Sequence, residues 1–174
     1  DVFVRECEAA FGALPAGEAN VIDTPMYVGG VRTRAQAGSS QSHAVLGGVI
    51  TPRRDADVHD EAAALLAAAV IGEGMSSPLL HELREQRALA YHVSASAEAM
   101  DMCGQFIIEA SMAPERFDEC LQAVLALLTQ HAERIDPQDL ARARRQLAVR
   151  RLRTLEKPLR QIEGTGFGGI VRQK

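Results

Sequence analysis

The sequence predicts an α+β fold in which helices pack on an antiparallel-rich mixed sheet. Residues 91–97 and 105–112 alternate apolar and polar side chains, as strands with one buried face do. Stretches on both sides of them carry apolar residues at helical spacing. Strand-like and helix-like stretches also come in adjacent pairs, an order typical of α+β layers rather than of a Rossmann sheet.

The predicted elements follow the order α, β, β, α, α, β, β, α, α. Residues 31–37 and 43–50 are predicted to be the first pair of strands, joined by a polar loop. The alternating stretches described above form the second pair, which we expect to be antiparallel. The helix that opens the chain carries the apolar positions Val4, Cys7, Phe11 and Leu14.

Local signals place the ends of the later helices. Gly72 is a natural C′ residue for the first of the two central helices. Ser77 can cap the second one, and Pro78 suits its first position because proline lacks the amide hydrogen. Asp136 and Pro137 form the same kind of start signal for the last long helix.

Composition describes one soluble globular domain spanning residues 1–174. Hydrophobic residues make up 47% of the chain and charged residues 24%. The net charge of −4 gives no global attraction to nucleic acid, and no apolar run approaches the roughly 18 residues of a membrane span. The start without methionine suggests a fragment or a processed chain, so the periplasm and the cytoplasm both stay open as compartments.

The three cysteines argue against a disulfide scaffold. Their number is odd and no C-x-x-C occurs, which also argues against a thiolate zinc site. Free cysteines are usually buried as small apolar side chains. We therefore expect burial of Cys7, Cys103 and Cys120.

No metal site is predicted within this chain. Zinc-binding helices need two histidines one turn apart, yet none of the five histidines has a partner four residues later. The run beginning at His81 and Glu82 starts like H-E-x-x-H, but Glu85 occupies the second histidine position, and the inverted H-x-x-E-H is absent. The serine pair at 76–77 lacks the G-x-S-x-G pattern, so no catalytic residue is predicted in this chain alone.

Two further patterns carry little functional weight. Residues 164–169, GTGFGG, match G-x-G-x-x-G but follow a helix, so we expect a helix exit or linker. The last helix is rich in cations, but no aromatic residues interleave with them, so a solvated face or an acidic neighbour is favoured over nucleic acid. These cations are Arg142, Arg144, Arg145, Arg150, Arg151, Arg153, Lys157 and Arg160.

Arg84 and Tyr91 form the most informative pair. Arg84 lies on the polar side of the short helix, and Tyr91 begins the following strand after the chain reverses. A guanidinium and a phenol can both donate to a peptide carbonyl, or to negative charge that develops on its oxygen. The alternative is a surface arginine beside Glu85 and a tyrosine packed at a strand end.

Residues 72–91, GEGMSSPLLHELREQRALAY, resemble the glycine-rich turn, short helix and R-E-x-x-G-L-A-Y segment of the pitrilysin-like zinc peptidases. This family includes the mitochondrial processing peptidases and the core proteins of the bc1 complex. Weaker likeness covers the first helix exit and the last two helices. The resemblance implies a metallopeptidase half-domain of the LuxS and processing-peptidase type.

The resemblance also implies a division of labour between two halves that close on a peptide. The catalytic half binds zinc through H-x-x-E-H, and the inactive half contributes an arginine and a tyrosine seven residues apart. Arg84 and Tyr91 match that spacing, with Gly74 and Ser76 shaping the turn before them. The expected partners are therefore a zinc-bearing half and a peptide. The alternative is a module of the same fold that serves only assembly.

Two positions depart from the family pattern. The usual glycine before L-A-Y is Ala88 here, and the usual arginine after the double serine is Pro78. Both departures lie in the segment that carries the proposed pair.

Overall fold

The computed structural model describes residues 2–15, 17–18, 23–53 and 55–157. Within these ranges, no helix has the length and apolar character needed to cross a bilayer. The elements are α1 (Val2–Phe11), β1 (Ser42–Val49), α2 (Val58–Gly72), α3 (Pro78–Leu80) continuing into a π-helix (His81–Gln86), β2 (His92–Ala99), β3 (Gly104–Met112), a 3₁₀ turn (Pro114–Arg116), α4 (Phe117–Glu133) and α5 (Pro137–Leu155).

The three described strands form an antiparallel sheet in the order β1-β3-β2. β3 is central, and its Ser111 lies opposite His43 of β1 and His92 of β2. The α+β class and the antiparallel pairing of β2 with β3 are therefore confirmed. Both strand-to-strand pairings within the described residues are antiparallel, so the mixed character that we predicted is not observed there.

The predicted strand over residues 31–37 is wrong. Residues 31–36 have no regular secondary structure, and the side chain of Val31 is 92% exposed. The segment alternates Val31, Thr33 and Ala35 with polar residues, so neither face offers enough apolar area to bury against a sheet. β1 pairs instead with β3, a strand more than 50 residues later.

The hydrophobic core lies between one face of the sheet and the helices. Val93, Ile108 and Met112 project from the strands and are almost fully buried. The opposing side chains come from five helical segments, with Val70 of α2, Leu79 of α3, Leu83 of the π-helix, Val124 of α4 and Ala143 of α5. The opposite face is more open, and there His43 Nδ1 lies 2.9 Å from Ser111 Oγ.

Gly72 is not a C′ residue, as we had predicted, but the last residue of α2. The residue that follows it, Glu73, has an ordinary φ of −100°. A Cβ on Gly72 would lie 2.4 Å from the backbone nitrogen of Ala95 in β2. Glycine is therefore required here by the close approach of helix and strand rather than by a left-handed backbone.

The start signal of α5 is confirmed. Pro137 occupies the first turn, and the Asp136 side chain accepts a hydrogen bond from the Gln138 amide at 2.7 Å. Such a cap satisfies one of the amide groups that lack a partner at a helix start. Leu140 and Leu147 of this helix pack against the core, as expected from their spacing.

All three cysteines are free, but only Cys120 is buried. Cys7 and Cys103 are half-buried, so the prediction of three buried thiols is wrong for two of them. Cys7 lies on α1, a helix without a buried residue. Burial raises the pKa of the Cys120 thiol, and the positive charge of Arg87 partly opposes that rise.

Candidate functional site

The segment between α2 and α3 turns at Gly74, whose φ of +85° is in the left-handed region. Glycine adopts this conformation without strain because it has no Cβ. A Cβ there would also lie 2.5 Å from Nε2 of Gln146 on α5. The Gly74 carbonyl accepts a hydrogen bond from the Ser77 amide at 3.1 Å. Gly74 thus sets both the direction of the turn and its contact with α5.

The two serines of the turn have different surroundings. Ser76 is exposed and lines an open cavity of about 790 Å³ together with His81 and Glu82. Ser77 has the backbone conformation of an N-cap, but its hydroxyl makes no cap hydrogen bond. The hydroxyl is buried without a partner among the described residues, so the predicted capping role of Ser77 is wrong. Pro78 does occupy the start of the helix, as predicted.

Arg84 lies on a π-helix rather than on the ordinary short helix that the sequence predicts. α3 has only three residues before the chain widens over His81–Gln86. The Arg87 amide bonds to the Glu82 carbonyl at 3.1 Å, which spans five residues. Leu83 is fully buried, whereas Arg84 is exposed. Single π-turns are rare and are found frequently at functional sites.

The chain reverses between Arg84 and Tyr91 through a strained position. Ala88 has φ +47°, the one non-glycine residue with positive φ among the described residues. The amides of Leu89 and Ala90 both bond to the Leu83 carbonyl, at 2.6 and 3.1 Å. This geometry gives a physical reason for the glycine that the pitrilysin-like pattern has at position 88.

Replacing Ala88 with glycine is expected to stabilise the domain by about 0.5–1 kcal/mol. The left-handed conformation costs an L-residue about 1–2 kcal/mol, and the greater freedom of glycine in the unfolded chain offsets part of that gain. Urea denaturation of both proteins measures the difference. The matched control is Ala113→Gly, where φ is an ordinary −66° and the same change should destabilise. A loss of stability in Ala88→Gly would contradict the strained conformation.

Arg84 and Tyr91 both offer donor groups to the solvent. The Tyr91 side chain is 58% exposed, while its amide bonds to the Ser111 carbonyl of β3 at 2.8 Å. The Arg84 guanidinium has no hydrogen bond or ion pair within the described part of the chain. The expected neighbour Glu85 therefore does not pair with it. A cation that lacks a partner among the described residues is available to a ligand.

No three His, Cys, Asp or Glu side chains gather as metal ligands in the ranges that the structure describes. The Gln86 side-chain amide donates to Nε2 of His81 at 2.8 Å. His81 and Glu82 thus make local contacts around the π-helix, with Gln86 and Arg87 respectively.

The arginine-rich helix α5 is not simply a solvated face. Arg142 is only 16% exposed, and its guanidinium donates to the Val70 carbonyl at 2.7 Å and the Glu73 carbonyl at 2.8 Å. The Arg142 guanidinium also donates a hydrogen bond to Oε1 of Gln146 at 2.9 Å. Arg150 pairs with the Glu73 carboxylate at 3.2 Å. Sequence reasoning missed the Arg142 contact, because nothing local distinguishes this arginine from its neighbours.

Arg145, Arg150 and Arg153 of α5 line an open cavity of about 550 Å³ together with Lys157, which follows the helix. Arg160 and the GTGFGG stretch at 164–169 lie outside the described residues.

The family model that describes the inactive domain of peptidase M16 matches residues 4–147. The chain is 28% identical over 166 residues to an uncharacterized zinc protease of Rickettsia felis. This match covers 95% of the chain and 40% of that protein. An uncharacterized zinc protease of Mycobacterium leprae is 34% identical over 96 residues, covering 55% of the chain and 21% of that protein. The chain therefore spans less than half the length of these relatives.

Solved structures agree with the fold. The peptidase M16 inactive domain from Pseudomonas fluorescens superposes with a TM-score of 0.59 at 28% identity, over 66% of this chain and 27% of that one. A protease from Helicobacter pylori gives a TM-score of 0.68 at 20% identity, over 80% of this chain and 33% of that one. Together with the match over residues 4–147, these findings show that the chain belongs to the peptidase M16 family as one of its inactive domains.

Proposed function

We propose that this domain is the non-catalytic, substrate-binding half of a zinc metalloendopeptidase. It acts with a catalytic half, on the same or another chain, that carries the inverted H-x-x-E-H motif. The observation that carries the proposal is the exposed Arg84 on the π-helix, which has no partner among the described residues, with the exposed Tyr91 immediately before β2. Membership of the inactive-domain family supports a partner that performs the chemistry.

Zinc belongs to the partner half in this proposal. The described residues do not fit a zinc site, because no set of three ligands gathers among them and His81 is bonded to Gln86. This domain's own contribution is therefore to bind and orient the peptide.

The two side chains have complementary abilities. The Arg84 guanidinium carries a positive charge and presents several donors in a fixed fork. The Tyr91 hydroxyl adds one donor on a rigid ring. Donors placed at a carbonyl oxygen hold the peptide, and they stabilise that oxygen further when it gains negative charge during attack. Neither residue needs to exchange a proton for this role.

The sheet offers a second way to hold an extended peptide. β1 and β2 form the edges of the described sheet, because β3 lies between them. An added strand would bond through its backbone, so affinity would not depend on a strict sequence. This mode suits a peptidase that accepts several sequences.

Replacing Arg84 with alanine is expected to lower kcat/KM of the domain assembled with its catalytic half by about 10- to 100-fold. This range corresponds to the loss of one charge-assisted hydrogen bond in the transition state. Folding should be unchanged, because the guanidinium has no partner within the described residues. Steady-state cleavage of a fluorogenic peptide measures the change, and Tyr91→Phe isolates the hydroxyl in the same assay.

The matched control is Arg151→Ala, which removes an exposed arginine from α5. Turnover of this variant should equal that of the parent. Unchanged turnover in Arg84→Ala would reject the substrate-binding role. If assembly with the partner half also stayed intact, that result would favour the alternative, a structural module of the same fold.

A further inference from the structure

We propose that Arg87 is a positioning residue that fixes the relative placement of Arg84 and Tyr91 by tying the intervening loop to α4. The consequence for peptide turnover rests on the proposed function, whereas the effect on the loop does not. Arg87 is the first residue after the π-helix and immediately precedes the strained Ala88.

The side chain of Arg87 bridges two elements. One terminal nitrogen lies 3.0 Å from Glu119 Oε1 on α4, and the other lies 3.7 Å from Glu82 Oε1 on the π-helix. The carboxylate of Glu119 also pairs with Arg116 at 3.3 Å through its second oxygen. Arg87 therefore connects the helix that carries Arg84 to the start of α4.

The backbone of Arg87 is held as well. Arg116 donates to the Arg87 carbonyl at 3.4 Å with its second terminal nitrogen. Two arginines and the shared Glu119 thus hold the loop through a side chain and through the main chain. Ala88 follows in a conformation that persists only where its surroundings impose it. The network supplies such a constraint at the residue before the strained position.

The network is suited to fix the conformation of the loop between Arg84 and Tyr91 rather than to stabilise the fold as a whole. Its side chains are between 34% and 45% exposed, and ion pairs that are this exposed contribute little to global stability. Folding is supported instead by the fully buried Leu83 and the nearly buried Leu89. Loss of Arg87 should therefore leave the protein folded while the loop gains freedom.

The test is Arg87→Met in the domain assembled with its catalytic half, because methionine keeps the apolar stem and removes the charged fork. Hydrogen exchange should quicken about fivefold at the Leu89, Ala90 and Tyr91 amides. This is the upper range for one exposed ion pair, and it is expected mainly from loss of the 3.0 Å pair with Glu119, since the pair with Glu82 is longer. Amides of β3 should be unchanged. A merely structural role would instead quicken exchange throughout the core.

A second readout uses the side chain itself. The chain has no tryptophan and two tyrosines, so Tyr27→Phe leaves Tyr91 as the chain's own fluorophore for measurements before assembly. Its fluorescence anisotropy should fall in Arg87→Met. Arg87→Lys should retain part of the anisotropy that Arg87→Met loses, because an ammonium keeps a positive charge beside Glu119 and Glu82. Arg144→Met, an exposed arginine on α5, is the control and should change nothing.

Turnover of the same assembled sample separates this proposal from the proposed function. Local loosening together with reduced kcat/KM supports both. Local loosening with unchanged turnover upholds the positioning role and counts against the peptide-binding role of the pair. Unchanged exchange and anisotropy around Tyr91 would overturn the positioning role, whatever happens to turnover.

Discussion

Gly72→Ala is expected to destabilise the domain by about 3 kcal/mol, the upper part of the usual range for an overpacked core. The added Cβ would lie 2.4 Å from the backbone nitrogen and 2.5 Å from the Cβ of Ala95. Neither atom belongs to a flexible side chain, so α2 and β2 must move apart. Ala95 faces Ile108 across the sheet, and the displacement would therefore reach the centre of the core.

Guanidinium chloride denaturation measures this effect against a matched control. Gly48→Ala on β1 adds the same methyl group where no atom lies within 4 Å. That variant should be as stable as the parent or slightly more stable, because alanine loses less backbone entropy on folding. Equal stability of the two variants would refute the close approach of α2 to β2.

Arg142→Met is expected to destabilise the domain by about 2–4 kcal/mol, since charge-assisted hydrogen bonds in a half-buried position are lost together. The guanidinium satisfies the Val70 and Glu73 carbonyls at the end of α2, where helix carbonyls lack intrahelical partners. Its positive charge also lies at the negative end of the α2 dipole. Methionine keeps the apolar stem but leaves these carbonyls without their donor.

Arg144→Met is the control for this prediction, because it removes an exposed arginine two residues away on the same helix. Its effect should stay within about 0.5 kcal/mol. Arg142→Lys should lie between the two, because an ammonium keeps the charge but not the fork. A loss in Arg142→Met as small as that of the control would show that water replaces the guanidinium at these carbonyls.

Patterns among neighbouring residues of the sequence were sufficient to predict much of the fold. The alternation in residues 105–112 identified the central strand, and Asp136 with Pro137 identified the start of α5, because both signals lie in neighbouring residues. The prediction of a strand at residues 31–37 was wrong because side chains that alternate every second residue also occur in segments that do not pair with another strand. Pairing of β1 with β3 joins residues far apart in sequence, which local pattern does not encode.

The candidate site depends on tertiary contacts more than the fold does. The positions of Arg84 and Tyr91 were identified through their spacing and the family pattern, not through any signal for a π-helix. The buried hydroxyl of Ser77 and the contacts of Arg142 were unforeseeable, because both depend on what packs against them. Ala88 departs from the glycine of the family pattern, and its left-handed backbone supplies the physical reason for that glycine.

The contacts of Arg142 and Arg150 on α5 with Val70 and Glu73 at the end of α2 have a consequence for biosynthesis. These contacts join residues up to 77 positions apart, and the Gly74 turn also rests on Gln146. Contacts of such long sequence separation form late, because the intervening chain must first lose its freedom. During translation, residues 73–77 cannot reach their final geometry until α5 has left the ribosome. Within the described part of the chain, this turn is therefore expected to be among the last segments to reach its final geometry.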